Sequence, residues 1–173
     1  MDDRQLQGLI VEVPDFPKPG VSFKDITPVL RDPGALGYVV DRLHGEFRGA
    51  GVDLVLGVES RGFLFAAPLA VRLGRGLVPV RKPGKLPRET ASADYALEYG
   101  TDTLEVHRDA VHRGQRCLVV DDVLATGGTA AACARLVRDL GGEVAGLAFV
   151  LELGFLDGRR KLEGERVFSL LRY

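Results

Sequence analysis

Apolar residues along the chain recur in two alternating patterns. From residue 33 to residue 47 they return every three or four positions, which predicts a helix that begins at Asp32-Pro33, with an N-cap acid and a proline in its first turn. The same spacing predicts a second helix, which ends before Gly141-Gly142 and buries Cys133, Leu136, Val137 and Leu140 on one face. The largely apolar run 62–74, closed by a glycine, predicts a third. Short apolar runs that predict buried strands alternate with the helices, at residues 53–60, 76–82, 117–122 and 143–153.

Strands that are apolar on both faces and alternate with helices indicate a mostly parallel sheet covered by helices on both sides. We therefore predict an α/β fold in which residues 1–173 form a single domain. Two segments depart from the alternation. The segment from Pro14 to Leu30 has three prolines within six residues and is expected to be rigid, irregular chain that shapes the wall of a pocket. Residues 83–102 are polar and join two strands, and so long a connection is usually functional or disordered.

Composition narrows the possible partners. The formal net charge of −1 gives no reason to expect a nucleic acid or an anionic membrane, and no apolar run approaches the roughly 20 residues of a membrane span. The N-terminus starts with acids and lacks the apolar core of a secretory signal, so we expect a cytoplasmic protein. The two cysteines predict neither a disulfide framework nor a zinc site, and the three histidines have no metal-ligand spacing.

The candidate chemistry lies in the stretch CLVVDDVLATGGT, residues 117–129. Asp121 and Asp122 stand where a buried strand ends, and ligands of open parallel sheets bind beyond such ends. Residues 125–129 form a glycine-containing turn into a helix, whose free amides and dipole, with the hydroxyls of Thr126 and Thr129, can hold a monophosphate. Two carboxylates beside such a turn suit the vicinal hydroxyls of a ribose 5-phosphate. Their charge also favours a cationic sugar and a nearby metal ion.

Other phosphate motifs are absent from this stretch. No Gly-Lys-Ser/Thr follows the turn and the dinucleotide fingerprint is missing, which excludes a Walker-type loop and a Rossmann dinucleotide site. An isolated Asp-Asp could equally be a solvated strand end, and an isolated Thr-Gly-Gly a plain helix cap. The order of strand, acid pair, turn and helix favours the ligand site.

The segment VVDDVLATGGT resembles the motif with which type I phosphoribosyltransferases bind 5-phosphoribosyl 1-diphosphate (PRPP). From about Asp15 to Tyr173 the chain is similar, in order and spacing, to the adenine-specific members of that family, through DFPKPGVSFKDITPVL, ESRGFLFAAPLA, RKPGKLP, YALEYG and FSLLRY. Many relatives share the PRPP motif, whereas PGVSFKDITP and LEYG are more specific to the adenine enzymes. The resemblance implies the type I phosphoribosyltransferase fold, in which residues 1–35 contribute to a hood over the base and residues 83–102 form a mobile catalytic loop.

The resemblance also implies an activity. It indicates a glycosyltransferase of purine salvage that joins N9 of adenine to C1 of PRPP and releases AMP and pyrophosphate. Mg²⁺ is the implied cofactor, bound mainly through PRPP and pyrophosphate, and the implied assembly is a homodimer. Asp121 and Asp122 would hold the ribose hydroxyls. The positions that match the 5-phosphate loop are Ala125, Thr126, Gly127, Gly128 and Thr129.

The remaining site residues follow from the same resemblance. Glu59, Ser60 and Arg61 match the pyrophosphate loop, with a cis peptide implied between Glu59 and Ser60. Phe23 and Val123 would sandwich the adenine ring. The base-reading and acid–base residues are the main chain around Ser22 and Lys24, and Glu98 supported by Tyr99. The cations implied for the leaving pyrophosphate are Arg81 and Lys82, at the neighbouring subunit's site, and Lys85 on the loop.

Two alternatives stay open on the sequence. The same reaction could use a 6-oxopurine, because the PRPP motif does not identify the base. A non-catalytic PRPP-binding regulator would keep the fold, but such proteins usually carry a basic DNA-binding domain, and this chain shows neither the charge nor a separate segment for one.

Overall fold

The computed structural model describes residues 1–96 and 100–173. The helices in this part of the chain are α1 (Asp3–Gln7), α2 (Thr27–Arg31), α3 (Pro33–Phe47), α4 (Gly62–Leu73) and α5 (Gly128–Asp139). The strands are β1 (Val11–Val13), β2 (Phe23–Asp25), β3 (Leu54–Val58), β4 (Gly76–Val80), β5 (Thr90–Ala96), β6 (Thr101–His107), β7 (Arg116–Leu124), β8 (Glu143–Glu152) and β9 (Val167–Arg172). Two 3₁₀ turns, Gly154–Leu156 and Gly158–Leu162, follow β8.

The central sheet has the strand order β4-β3-β7-β8-β9, and each neighbouring pair runs parallel, which confirms the predicted parallel sheet. The chain proceeds from β3 to β4 on one side and from β7 through β8 to β9 on the other, so the strand order reverses between β3 and β7. In such sheets this reversal opens a crevice at the carboxyl ends of the two strands, where ligands usually bind.

Helices pack on both faces of this sheet, as predicted. On one face, α3 and α4 bury apolar side chains such as Leu43, Phe47 and Leu69. On the other face, α5 buries Leu136, and the hairpin of β5 and β6 adds Leu104. Burying one such side chain fully stabilises the fold by roughly 1.5–3 kcal/mol. These two apolar layers hold the sheet rigid beneath the crevice.

The helix boundaries follow the predicted signals. Asp32 caps α3 by accepting a hydrogen bond from the Ala35 amide at 2.8 Å. α4 ends at Gly74, which adopts a left-handed φ of 65°. Pro68 lies inside α4, and the helix continues through it.

The N-terminal segment contains more regular structure than the sequence predicted. Irregular chain is confirmed for residues 14–22 but is wrong for the rest of the segment, because β1 and β2 pair as an antiparallel ribbon and α2 follows. Each strand of the ribbon has three residues. A strand this short shows no recognisable alternation of apolar and polar residues.

Residues 83–102 also contain a strand, since β5 pairs antiparallel with β6 along its whole length. Only Ala93 of β5 is buried, so the sequence carries no apolar alternation there. The edge strand β9 was not predicted either. Within the described residues, no helix is both long and apolar enough to cross a membrane.

Candidate active site

A cavity of about 570 Å³ opens at the carboxyl ends of β3 and β7. Most of its wall comes from the N-terminal ribbon, the loop after β3, and the end of β7 with the turn that follows it, and the end of β4 and the β5–β6 hairpin add further residues. The predicted site residues that line it are Ser22, Phe23, Lys24, Glu59, Ser60, Arg61, Lys82, Asp121, Asp122, Val123, Ala125 and Thr129. The fold therefore brings most of the predicted residues to one place.

The acid pair lies near the end of β7, which runs two residues beyond the predicted strand. Asp122 is only 3% exposed, and its amide donates to Asp121 Oδ1 at 2.9 Å. Burial and the neighbouring carboxyl of Asp122 raise the pKa of Asp121 well above its ordinary value. Burial also raises the pKa of Asp122, although Arg61 opposes this effect. Negative charge on the pair is thus costly without a ligand that compensates it.

Arg61 connects the acid pair with Phe23, which lies on the wall where the base is expected. Its Nε lies 2.8 Å from Asp122 Oδ2, and its guanidinium carbon lies 5.0 Å from the centre of the Phe23 ring. The ion pair lacks the angle of a hydrogen bond, so Asp122 Oδ2 is buried without a hydrogen-bond donor among the described residues. The ring of Phe16 packs edge-on against the ring of Phe23, with 5.1 Å between the two ring centres, and supports it from the side.

The glycine-containing turn leads directly into α5, as predicted. Gly127 adopts a left-handed φ of 78°, and Gly128 is the first residue of the helix. A second, small cavity of about 60 Å³ lies against residues 123–130. The first amides of a helix have no carbonyl partner within it, and they add to the positive end of the helix dipole. The turn therefore has the properties of a site for one phosphate group.

The loop after β3 contains the cis peptide between Glu59 and Ser60 that the resemblance implies. The Glu59 carboxylate accepts hydrogen bonds from the Arg81 guanidinium at 3.1 and 3.3 Å and from the Lys82 amide at 2.8 Å. The bonds from Arg81, together with that from Lys82, lower the pKa of Glu59. Glu59 thus ties this loop to the end of β4.

The three cations assigned to pyrophosphate occupy different positions. Lys82 lines the cavity of its own chain, where Nζ donates to the Tyr95 hydroxyl at 2.8 Å and pairs with Asp102. Arg81 faces Glu59 and does not line the cavity. Lys85 is exposed and also lies outside the lining, although its charge contributes to the lowered pKa of Glu59.

The base side of the cavity is built on β2. Phe23 and Val123 line the same cavity. The side chains on either side of Phe23 are engaged by one carboxylate, because Glu12 accepts from the Ser22 hydroxyl and pairs with Lys24 Nζ at 2.9 Å. Lys24 Nζ also lies 4.6 Å from the centre of the Tyr173 ring. These contacts occupy the polar ends of both side chains.

Comparison with known proteins identifies the family. The model of the phosphoribosyl transferase domain matches residues 37–166. The adenine phosphoribosyltransferase of Solibacter usitatus is 60% identical over 168 residues, which is 97% of each chain. The chain belongs to the adenine phosphoribosyltransferase family.

Solved structures of adenine phosphoribosyltransferases share this fold over the whole chain. The enzyme from Thermoanaerobacter pseudethanolicus gives a TM-score of 0.97 at 56% identity and covers 99% of both chains. The enzyme from Saccharomyces cerevisiae, complexed with adenine and D-2,5-dideoxy-2,5-imino-altritol 1,6-bisphosphate, gives 0.92 at 43% identity over 98% of both chains.

Two residues that the resemblance to adenine phosphoribosyltransferases singles out, Glu98 and Tyr99, lie outside the described residues. Other residues of the site were missed by sequence reasoning. Tyr95 and Leu104 line the cavity from the β5–β6 hairpin. Leu104 carried no signal, because the hairpin itself was not predicted, whereas Tyr95 begins the YALEYG segment of the resemblance and was available there.

Gly62 is a further missed residue. A Cβ atom there would lie 2.8 Å from the Val120 carbonyl oxygen and 2.9 Å from Asp121 Oδ1. Only a glycine allows the loop after β3 to approach the acid pair so closely. Its place directly after the Glu-Ser-Arg segment was the available signal.

Proposed function

We propose that this chain transfers the 5-phosphoribosyl group of PRPP to N9 of adenine and releases AMP and pyrophosphate, as a step of purine salvage. The observation that carries the proposal is one cavity that combines a buried acid pair, a phosphate turn and an aromatic base wall. Adenine phosphoribosyltransferases with 55–60% identity over nearly the full chain support the same activity. The yeast relative crystallised with adenine supports adenine as the base.

The proposed PRPP site follows the lining of the cavity. Asp121 and Asp122 accept hydrogen bonds from the ribose hydroxyls, which offsets the cost of their burial and satisfies Asp122 Oδ2. The turn at residues 125–129 holds the 5-phosphate through the amides of α5 and the hydroxyls of Thr126 and Thr129. Ser60 and Arg61 bind the pyrophosphate, and Glu59 keeps their loop in place through Arg81 and Lys82.

The proposed mechanism is dissociative. As the bond from C1 to pyrophosphate breaks, Arg61 and Lys85 offset the charge of the leaving group. C1 gains oxocarbenium character beside the acid pair, whose negative charge stabilises it. N9 of adenine then attacks C1 from the opposite face. We assign the acid–base step near N7 to Glu98, supported by Tyr99, from the family resemblance.

Adenine is proposed to lie between Phe23 and Val123, with its edge read by the main chain around Ser22 and Lys24. The engagement of both side chains by Glu12 supports this reading, because it leaves the main-chain groups to make the contacts. A 6-oxopurine would present a carbonyl where adenine presents an amino group and would leave a buried polar group unpaired.

Mg²⁺ is the proposed cofactor. Within the described residues, no cluster of three or more histidine, cysteine or acidic side chains could hold a metal ion alone. Mg²⁺ commonly binds together with substrate phosphates, so PRPP and pyrophosphate would supply most of its ligands, with the negative charge of Asp121 and Asp122 nearby. When bound, it supplies positive charge that offsets the charge of the leaving pyrophosphate.

We propose a homodimer that forms through α4 and β4. Leu64 and Val71, which lie seven positions apart on α4, are 47% and 82% exposed, and Leu77 of the edge strand β4 is 40% exposed. An apolar stripe beside an open sheet edge favours a protein partner. In a dimer, Arg81 just beyond β4 would be near the second site. A cytoplasmic location is also proposed, and the two free thiols agree with a reducing compartment.

The test is a substrate panel. Adenine, guanine, hypoxanthine and orotate are each incubated with PRPP and Mg²⁺, and nucleotide and pyrophosphate formation is measured. We expect AMP from adenine and no product from the other bases. Consumption of a different base in place of adenine would overturn the adenine assignment. Calorimetric binding of PRPP without reaction of any base would instead indicate a regulator.

A further inference from the structure

The 3₁₀ turn Gly158–Leu162 lies directly against the 5-phosphate turn. A Cβ atom on Gly158 would lie 2.1 Å from the Ala125 carbonyl oxygen and 3.0 Å from the Gly127 nitrogen. Conversely, a Cβ atom on Gly127 would lie 2.3 Å from the Gly158 carbonyl oxygen. The two backbones are thus in direct contact, and neither position has room for a side chain.

The residue after Gly158 is anchored in the fold. Arg159 Nε lies 2.9 Å from both carboxylate oxygens of Glu152, and Arg159 Nη1 donates to the Val167 carbonyl at 3.3 Å. Glu152 is the last residue of β8 and is 3% exposed. Burial by itself would raise the pKa of Glu152, but the hydrogen bond from Arg159 and the nearby charges lower it overall. Glu152 therefore stays charged and holds Arg159 at the end of the sheet.

The far end of the turn is fixed as well. Leu162 is 3% exposed and belongs to the apolar layer that also includes Leu136 of α5. The turn is therefore attached to β8 at one end and to the layer beneath α5 at the other. A backbone segment held at both ends can act as a rigid support for the loop that it contacts.

We propose that Gly158 and Arg159 are positioning residues for the 5-phosphate of PRPP and AMP, with the turn Gly158–Leu162 as the outer wall that fixes the amides of residues 125–129. The inference rests on the proposed phosphate role of that turn. Binding groups must be held within about 0.5 Å of their productive geometry, so a displaced wall should weaken the contacts of these amides with the phosphate. The wall should affect ligands that carry the 5-phosphate and should not affect pyrophosphate, which binds at the loop after β3.

The test uses calorimetric titration of the full chain with two probes, AMP and magnesium pyrophosphate. In Gly158→Ala the added methyl must displace the loop and weaken at least one hydrogen bond from an amide to the phosphate, so we expect the Kd of AMP to rise at least about ten-fold. Arg159→Ala should raise it about five-fold, and Arg159→Lys should restore part of the loss, because lysine keeps the charge without the bidentate fork. The Kd of pyrophosphate should change less than about two-fold in all three variants.

Two control variants separate positioning from general stability. Gly142→Ala would place a Cβ atom 2.7 Å from Val111 Cγ1 at the amino end of β8, opposite the site. Arg166→Ala removes the ion pair of Arg166 with Glu46, whose atoms are 2.6 Å apart. Both controls should lower the melting temperature without changing the Kd of AMP. Weaker AMP binding in the controls, in proportion to their stability loss, would overturn the positioning role.

Thr129→Val distinguishes the wall from the phosphate turn itself. If Thr129→Val weakens AMP binding while Gly158→Ala and Arg159→Ala bind AMP like the wild type, the wall is refuted and the phosphate role stands. If Thr129→Val, Gly158→Ala and Arg159→Ala all bind AMP like the wild type, both the phosphate role of the turn and the role of the wall are refuted. Should Gly158→Ala fail to fold, the two Arg159 variants decide, because they add no atom at the backbone contact and release only the anchor of the turn.

Discussion

Asp121 and Asp122 are adjacent carboxyl groups in a place where burial makes their charge costly, and both pKa values are raised. A group whose pKa is raised in the folded state destabilises the fold above its ordinary pKa, because the unfolded chain releases the proton more easily. The acid pair therefore lowers the stability of the free protein at neutral pH. Function, and not folding, explains why it is there.

Asp121→Asn should separate the cost of the buried charge to stability from its contribution to PRPP binding. We expect the free energy of unfolding at pH 7 to rise by roughly 0.5–2 kcal/mol, because one buried charge is removed. The KM for PRPP should rise about ten-fold, since the hydrogen bond from the ribose then goes to a neutral amide in place of a carboxylate and loses its charge assistance. Denaturant unfolding and steady-state kinetics measure the two quantities.

The stability gain of Asp121→Asn should depend on pH. Well below the ordinary Asp pKa of about 3.9 the carboxyls are protonated in both the folded and the unfolded chain, so the difference in stability should shrink as the pH falls and be lost there. An equal difference in stability at pH 3.5 and pH 7 would show that the buried charge is not its cause.

The proposal that the main chain reads the base predicts a contrast between two neighbouring residues, Phe23 and Lys24. Lys24→Arg should leave the KM for adenine within about two-fold, because the side chain is turned toward Glu12 and the substitution keeps its charge. Phe23→Ala should raise the KM for adenine about ten-fold or more, since stacking of a base on an aromatic ring contributes about 1–3 kcal/mol. A large effect of Lys24→Arg on adenine alone would indicate recognition by its side chain.

At the scale of elements, the junction of α4 with β7 depends on Gly62. Gly62→Ala should destabilise the fold by about 1–3 kcal/mol and weaken PRPP binding, because a methyl group would collide with Val120 and Asp121. The matched control is Gly45→Ala in α3, where no heavy atom lies within 4 Å of the new methyl group. That variant should stabilise the fold by about 0.5–1 kcal/mol. Thermal unfolding measures both changes, and a neutral Gly62→Ala would contradict the close approach.

The elements that the sequence predicted are those with enough buried residues to show a period. α3 and β8 each contribute several buried apolar side chains and were predicted close to their observed bounds. The β1–β2 ribbon and β5 were missed because they are short or mostly solvent-facing. Their hydrogen bonds come from pairing with partner strands, which leaves no periodic pattern in the sequence.

At the scale of the whole molecule, the dimer proposal predicts that a charge in the interface halves the mass of the protein in solution. Val71→Glu should shift the protein from dimer to monomer in sedimentation velocity, because it places a charge on the apolar stripe of α4. Phe155→Glu is the matched control, since Phe155 is also an exposed apolar residue, at 70%, but lies outside the stripe. A monomeric wild type, or equal masses for wild type and Val71→Glu, would contradict the proposed interface.

The sequence by itself determined the alternation of strands and helices, the parallel sheet, and the acid pair with its phosphate turn. These features are local, because a buried strand, a turn and a helix start each leave their signal in consecutive residues. Tertiary structure alone decided that the N-terminal ribbon, the loop after β3 and the end of β7 share one cavity. It also decided that Arg61 contacts both Asp122 and Phe23, and that the backbone of Gly158 lies against the turn at residues 125–129. Contacts of this kind join residues far apart in the chain, so they exist only once the sheet has been packed.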